Sequence, residues 1–167
     1  MVVTAMTEDF DCFVKGRSTA LLRTAFLLVG DRGHAEDLLQ DVLTKTARQW
    51  HRIDGPPEAY VRRALMNAAI NGWRRRRLQE TPLRAQHDNT AADLLSTIDL
   101  RDALLRGLRE LAPQQRAVLV CRYFDDLSEA DTAALLGCSV GTVKSNASRG
   151  LQRLRELAPH LLDRTTP

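Results

Sequence analysis

Apolar positions recur along most of the chain at steps of three and four, the period of a helix with one buried face. From Phe10, the positions Phe13, Val14, Leu21, Ala25 and Leu28 keep that spacing and predict a first helix. Gly30 suits its C-terminus, and Asp31 suits the N-cap of the next. The second helix is the clearest in the chain. Ala35, Leu38, Leu39, Val42, Leu43, Thr46, Ala47 and Trp50 form its stripe, and Glu36, Asp37, Gln40 and Asp41 its polar side. The run His51–Pro57 breaks the pattern with Asp-Gly-Pro-Pro, and Pro57 fits the first turn of a third helix. That helix runs toward Leu78 with Val61, Ala64, Leu65, Ala68 and Gly72 on one narrow face. Residues 79–93 lose the periodicity and read as a linker. The pattern resumes with Leu95, Ile98, Leu104, Leu105 and Leu108, and Ala112-Pro113 opens a helix containing Ala117, Val118, Val120, Cys121 and Phe124. Strand signals are weak throughout. The expected fold is all-α, with two small helical domains at 8–78 and 94–160 joined by the 79–93 linker.

Residues 127–157 carry the sharpest local signature. Ser128 can cap a short helix whose first turn holds Glu129 and Asp131. Ala133 and Leu136 face inward, and Gly137 supplies the left-handed residue that a tight turn between crossed helices needs. Ser139 caps a second helix with a buried stripe of Val140, Val143, Ala147, Leu151 and Leu154. Its exposed side carries Thr142, Lys144, Ser145, Ser148, Arg149, Gln152 and Arg153, with no acidic residue until Glu156. This is a helix-turn-helix whose second helix can enter a DNA major groove. An ordinary helical hairpin would account for the basic face alone, but not for caps, glycine and stripe together.

A second basic element spans residues 60–79, which include Arg62, Arg63, Arg74, Arg75, Arg76 and Arg77 and no acidic residue. Arg63, Asn67, Asn71 and Arg74 fall on one helical face, with Ile70 between them. Asparagine can read a base edge while arginines hold phosphates. Trp73 stands beside the arginines and is equally suited to packing or to base stacking. Trp50 sits at a core position of its helix, which favours packing.

Composition narrows the class. Hydrophobic residues make up 44% and charged residues 27%, as in soluble globular chains. The net charge of +3 is mildly basic and compatible with a polyanion partner. Only Lys15, Lys45 and Lys144 among the 24 basic residues are lysines. Cys12, Cys121 and Cys138 have apolar neighbours and no metal-ligand spacing, so buried free thiols are expected. The histidines are scattered, and no metal or cofactor is expected. No apolar run approaches a membrane span, and the N-terminus lacks a signal-peptide pattern, which predicts a cytoplasmic protein without membrane association. Paired carboxylates, a phosphate loop and a nucleophile–base arrangement are all missing, so an enzyme is not expected. The cluster of Glu36, Asp37 and Asp41, just after Asp31, is either solubility charge or a docking face for a basic protein surface.

Four blocks then resemble one family. Leu27-Leu28-Val29-Gly30-Asp31 followed by Ala35-Glu36-Asp37-Leu38-Leu39-Gln40-Asp41 is similar to the polymerase-binding region of extracytoplasmic-function sigma factors. Leu111-Ala112-Pro113-Gln114-Gln115-Arg116-Ala117-Val118, and Arg122-Tyr123-Phe124 followed by Leu127-Ser128, resemble their C-terminal domain. Leu136-Gly137-Cys138-Ser139-Val140-Gly141-Thr142-Val143-Lys144-Ser145 resembles their helix-turn-helix. The match spans about residues 8–160.

The resemblance implies an alternative sigma factor that binds core RNA polymerase and directs promoter recognition and DNA opening. Glu36, Asp37, Gln40 and Asp41 would contact polymerase. Arg63, Asn67, Asn71, Arg74 and Arg77 would lie along the opened strand of the −10 element, with the His51–Pro57 loop capturing an extruded base. Thr142, Lys144, Ser145, Ser148, Arg149 and Arg153 would face the −35 duplex. The implied partners are core polymerase and promoter DNA, with the chain a monomer on polymerase, and an anti-sigma factor is a further partner the family allows. Three positions depart from the family pattern: Asn71 where aspartate is common, Asn146 where arginine is common, and Gly150 in place of alanine. A stand-alone helix-turn-helix regulator is the competing reading. It explains residues 127–157 but neither the acidic helix nor the second basic helix, and it would be expected to dimerise on two half-sites.

Overall fold

The computed structural model describes residues 2–78 and 98–157, and every regular element among them is helical. Helix α1 (Val2–Val29) begins earlier than the apolar pattern from Phe10 implies. Gly30, at φ 76°, turns the chain, and Asp31 caps α2 (Arg32–Arg48) by accepting the His34 backbone N–H at 2.8 Å. A 3₁₀ turn (Trp50–Arg52) and a bend at Gly55 (φ 90°) lead into α3 (Pro57–Leu78). The 79–93 linker lies outside the described residues. Helix α4 (Ile98–Glu110) precedes α5 (Pro113–Leu119), which passes into a π turn (Val120–Phe124). Helices α6 (Glu129–Leu136) and α7 (Val140–Leu157) complete the chain described.

The predicted stripes are where burial is deepest. Leu21, Ala25 and Leu28 of α1, Ala35, Leu39 and Val42 of α2, and Val61 and Leu65 of α3 are all buried together. Each large aliphatic side chain so placed contributes roughly 1.5–3 kcal/mol relative to exposure. Thr46 can occupy an apolar stripe because its hydroxyl donates to the Val42 carbonyl at 2.8 Å. Trp50 packs edge-on against Phe10, with ring centres 5.1 Å apart, and against Phe13 at 5.3 Å. Its role is core packing.

The same apolar cluster continues through Leu105, Leu108, Leu111, Ala117, Leu119 and Val120, so the C-terminal helices pack directly on α1 and α3. This is why α3 buries more than its narrow predicted face. Met66, Ala69 and Ile70 are also buried.

Four apolar expectations fail, each at an element's edge or on its outer face. Ala47 is exposed near the end of α2. Phe124 is 38% exposed at the end of the π turn, and Val140 is 39% exposed as the first residue of α7, ahead of the turns that touch α5 and α6. Cys12 is exposed, because one residue's rotation of about 100° carries it off the face that Phe13 shares with Trp50.

Cys121, by contrast, is fully enclosed. Burial, helped by the neighbouring Asp125 carboxylate, pushes its thiol up to about 12. The thiolate is the reactive form. At neutral pH, Cys12 is therefore expected to take up iodoacetamide rapidly, while Cys121 stays unmodified until the protein is denatured. Peptide mass mapping of briefly treated protein checks this. Cys121 labelling as fast as Cys12 would contradict the burial.

Candidate nucleic-acid interface

The helix-turn-helix forms as its sequence demands. The Ser128 hydroxyl accepts the Asp131 backbone N–H at 3.0 Å and starts α6. Gly137 ends it in the left-handed region at φ 65°. Ser139 then caps α7, accepting the Thr142 N–H at 3.1 Å and sharing a 2.9 Å hydrogen bond with the Thr142 hydroxyl. Val143, fully buried, packs with Val118 and Ala133 and fixes α7 against α5 and α6.

Gly150 lets α7 approach α5 closely. A Cβ there would sit 3.0 Å from Leu119 Cδ1 and 3.2 Å from its Cγ. The alanine that relatives carry would thus press on the core, and the departure at this position is a packing adjustment. Gly107 of α4 serves the same end from the other side, since a Cβ there would meet Leu154 of α7 at 2.7 Å.

With α7 so held, Thr142, Lys144, Ser145, Ser148, Arg149, Gln152 and Arg153 all point to solvent. Their electrostatics differ. Lys144 Nζ lies 3.6 Å from Glu129, and Arg153 pairs with Glu156 at 2.9 Å. Arg149 has no ion pair among the described residues. The Ser145 hydroxyl donates to Thr142 O at 3.1 Å, and the Asn146 amide donates to the same carbonyl at 2.9 Å. Asn146 is therefore folded back on its own helix.

On α3, Asn67, Asn71 and Arg74 are exposed. Arg63 is exposed too, but donates to the Ala134 carbonyl of α6 at 2.9 Å. The helix of Arg77 is described but its side chain lies outside the described residues. Trp73 lies beneath the Arg116 guanidinium, 4.1 Å from ring centre to Cζ. Arg62 is not part of the exposed basic face. It is held by Glu58 at 2.9 Å and by Asp125 at 2.5 Å. Burial works against its charge, and the two carboxylates more than offset this, leaving its pKa above the ordinary value. Glu58, one turn earlier, was the available sequence signal for that pairing; Asp125 was not.

The acidic side of α2 is divided. Asp31 is committed to the N-cap, and Glu36 accepts Arg32 at 2.8 Å. Asp37, Gln40 and Asp41 are exposed, and neither aspartate has an ion pair among the described residues. Beside them runs an apolar groove between α1 and α2, lined by Phe10, Val14, Leu39, Gln40 and Leu43.

Residues 13–79 match the family of Sigma-70 region 2, and residues 101–154 that of Sigma-70 region 4. The RNA polymerase sigma-E factor of Streptomyces coelicolor is 41% identical over 150 residues, covering 89% of this chain and 85% of that protein. The ECF RNA polymerase sigma factor SigM of Mycobacterium tuberculosis is 32% identical over 155 residues, covering 91% and 78%. The chain belongs to the extracytoplasmic-function RNA polymerase sigma factors. Among solved structures, this sigma factor is similar to RpoE of Bartonella quintana, seen in complex with the anti-sigma factor NepR: TM-score 0.71, 27% identity, 92% of this chain and 98% of that one. It also shares its fold with CnrH, seen in complex with the cytosolic domain of CnrY: TM-score 0.68, 21% identity, 96% and 91% covered. Region 4 contains the α6–α7 pair, and region 2 contains both the acidic face of α2 and the basic face of α3. Among the described residues, no helix is long and apolar enough to cross a membrane, and no acidic, histidine or cysteine cluster could hold a metal.

Proposed function

We propose that this alternative sigma factor docks on core RNA polymerase through the exposed acidic side of α2 and reads a promoter at two places. Asp37 and Asp41, with Gln40 and Glu36 beside them, form the polymerase contact. The face of α3 bearing Arg63, Asn67, Asn71, Arg74 and Arg77 follows the opened −10 strand, and the loop around Gly55 receives an unstacked base. Helix α7 enters the −35 major groove with Thr142, Lys144, Ser145, Ser148, Arg149 and Arg153. The division into 8–78, 79–93 and 94–160 assigns one promoter element to each domain. The work is initiation in the cytoplasm without catalysis by the sigma factor itself.

The observation that carries this reading is the segregation of charge. One chain presents an acidic helix face without partners and, on other helices, basic faces that point to solvent. A protein that only bound operator DNA would have no use for the first, and a protein-only adaptor none for the second. The Bartonella and CnrH structures, each with an anti-sigma partner, extend the proposal to an anti-sigma factor for this chain as well.

Mixing the purified chain with bacterial core polymerase on a sizing column tests the reading. A stoichiometric complex containing one copy of the chain is expected. A chain that stays free, and binds DNA as a dimer, would replace this reading with that of a stand-alone regulator.

A further inference from the structure

The C-terminal helices grip the two N-terminal elements that flank the −10 surface. At the end of α1, the last carbonyls lack helical partners and carry the negative end of the helix dipole. Arg116 donates to Leu28 O at 2.6 Å, and Arg109 donates to Gly30 O. Arg116 also donates to Arg109 O at 2.6 Å, which ties the two arginines together. The Arg109 side chain lies directly on Gly30, where a Cβ would meet its Nε at 2.4 Å. Glycine is thus needed there twice, for its φ of 76° and for this approach.

The second contact is a buried charge. Asp125, at the end of the π turn, has a side chain only 8% exposed. It accepts the Thr24 hydroxyl of α1 at 2.9 Å and pairs with Arg62 of α3 at 2.5 Å. The third contact falls on proposed strand-reading groups. Arg63 is engaged by the Ala134 carbonyl, and Trp73 is covered by Arg116. Between them, the cleft that the 53–57 loop would offer to a base has α6 as its far wall. It is lined by Asp54, Pro56 and Tyr60 on one side and by Leu127, Asp131 and Ala134 on the other.

We infer that the C-terminal helices are a built-in competitor for single-stranded nucleic acid: in the free chain they close over the strand-reading side of α3, and a strand binds there only when they are displaced. The inference rests on the −10 reading of α3. Most of the gripping contacts are charge-assisted hydrogen bonds, whose groups water can satisfy on release. A buried ion pair selects one arrangement more than it strengthens it. The closed arrangement leaves Asp37, Asp41 and the exposed side of α7 open to solvent, so it masks one function and spares the others. When only a fraction of molecules is open, the apparent affinity falls by that fraction, so one open molecule in about ten weakens strand binding about tenfold.

The test uses the full chain carrying Trp50→Phe. Trp50 packs against phenylalanines, and its removal leaves Trp73 as the sole tryptophan of the two in the sequence. Asp125→Asn and Thr24→Val are introduced separately. Acrylamide quenching of Trp73, affinity for a labelled single-stranded oligonucleotide and helical content by circular dichroism are read for each. With helical content unchanged, Asp125→Asn should raise both the quenching and the affinity, the latter by about tenfold. Thr24→Val, which removes one hydrogen bond and keeps the side-chain shape, should move both in the same direction by less. Adding Arg63→Ala to the opened chain should cancel much of the gain. Wild-type quenching and wild-type affinity in both variants would overturn the inference. Should Asp125→Asn lose helical content, Thr24→Val alone decides. Greater quenching without any gain in affinity, and indifference to Arg63→Ala, would show that the helices open but that α3 does not bind a strand. That outcome removes the −10 reading and the competition with it.

Discussion

Reversing two charges on α2, Asp37→Arg together with Asp41→Arg, is expected to weaken binding to core polymerase by about a hundredfold, or roughly 2.7 kcal/mol. The two residues are one turn apart, so their side chains project from the same strip of helix. Both are exposed and unpaired among the described residues, and the charge they present is available to a partner. Glu36 is less available, because leaving Arg32 offsets part of whatever a new contact contributes. Reversal does more than remove an attraction: it sets like charges against each other, which across an interface costs several kcal/mol. Neither side chain supports the core, so the fold should tolerate the change, with an effect near ±0.5 kcal/mol per site. Displacement of a labelled sigma factor from core polymerase, at two salt concentrations, measures the loss. Unchanged affinity at both would place the docking surface elsewhere.

The second large effect belongs to α7. Arg149→Ala is expected to cost about 1–3 kcal/mol of affinity for −35 duplex and to lower the salt slope by about one unit. Lys144→Ala should act in the same direction but less strongly, since Lys144 gives up its 3.6 Å approach to Glu129 on binding a phosphate. Asn146→Ala should change little, because that amide is already engaged with Thr142 O. Fluorescence anisotropy across a salt series on a duplex selected from randomised DNA separates the three. A loss at Asn146 exceeding that at Arg149 would mean that α7 enters the groove with a different face.

The order of those effects depends on the ion pairs and hydrogen bonds of the folded chain, whereas the elements themselves were legible earlier. Caps and turns are local events, which explains why Asp31, Ser128, Gly137 and Ser139 do what their residue types announce. Stripes at helical spacing located the buried leucines of α1, α2 and α3 for the same reason. The grip between the two halves was not legible. Thr24 and Asp125 are 101 residues apart, Leu28 and Arg116 are 88, and Gly30 and Arg109 are 79. No periodicity encodes such pairs. The same blindness made Arg62 look like a member of the basic face and Ile70 like its neighbour, when one is an internal ion pair and the other is core. Trp73 was equally suited to packing or stacking until Arg116 was seen above it. Family resemblance gave the acidic helix a partner where charge alone left two readings.

Promoter-dependent initiation tests the central claim most directly. Core polymerase is incubated with fragmented genomic DNA and nucleotides, with and without the purified chain, and the 5′ ends of the RNA are sequenced. The account predicts transcripts that appear only with the chain and start at defined positions downstream of a shared pair of upstream elements. Those transcripts should vanish with Asp37→Arg/Asp41→Arg. Random starts that are the same with and without the chain, from a polymerase that responds to a known sigma factor, would contradict it.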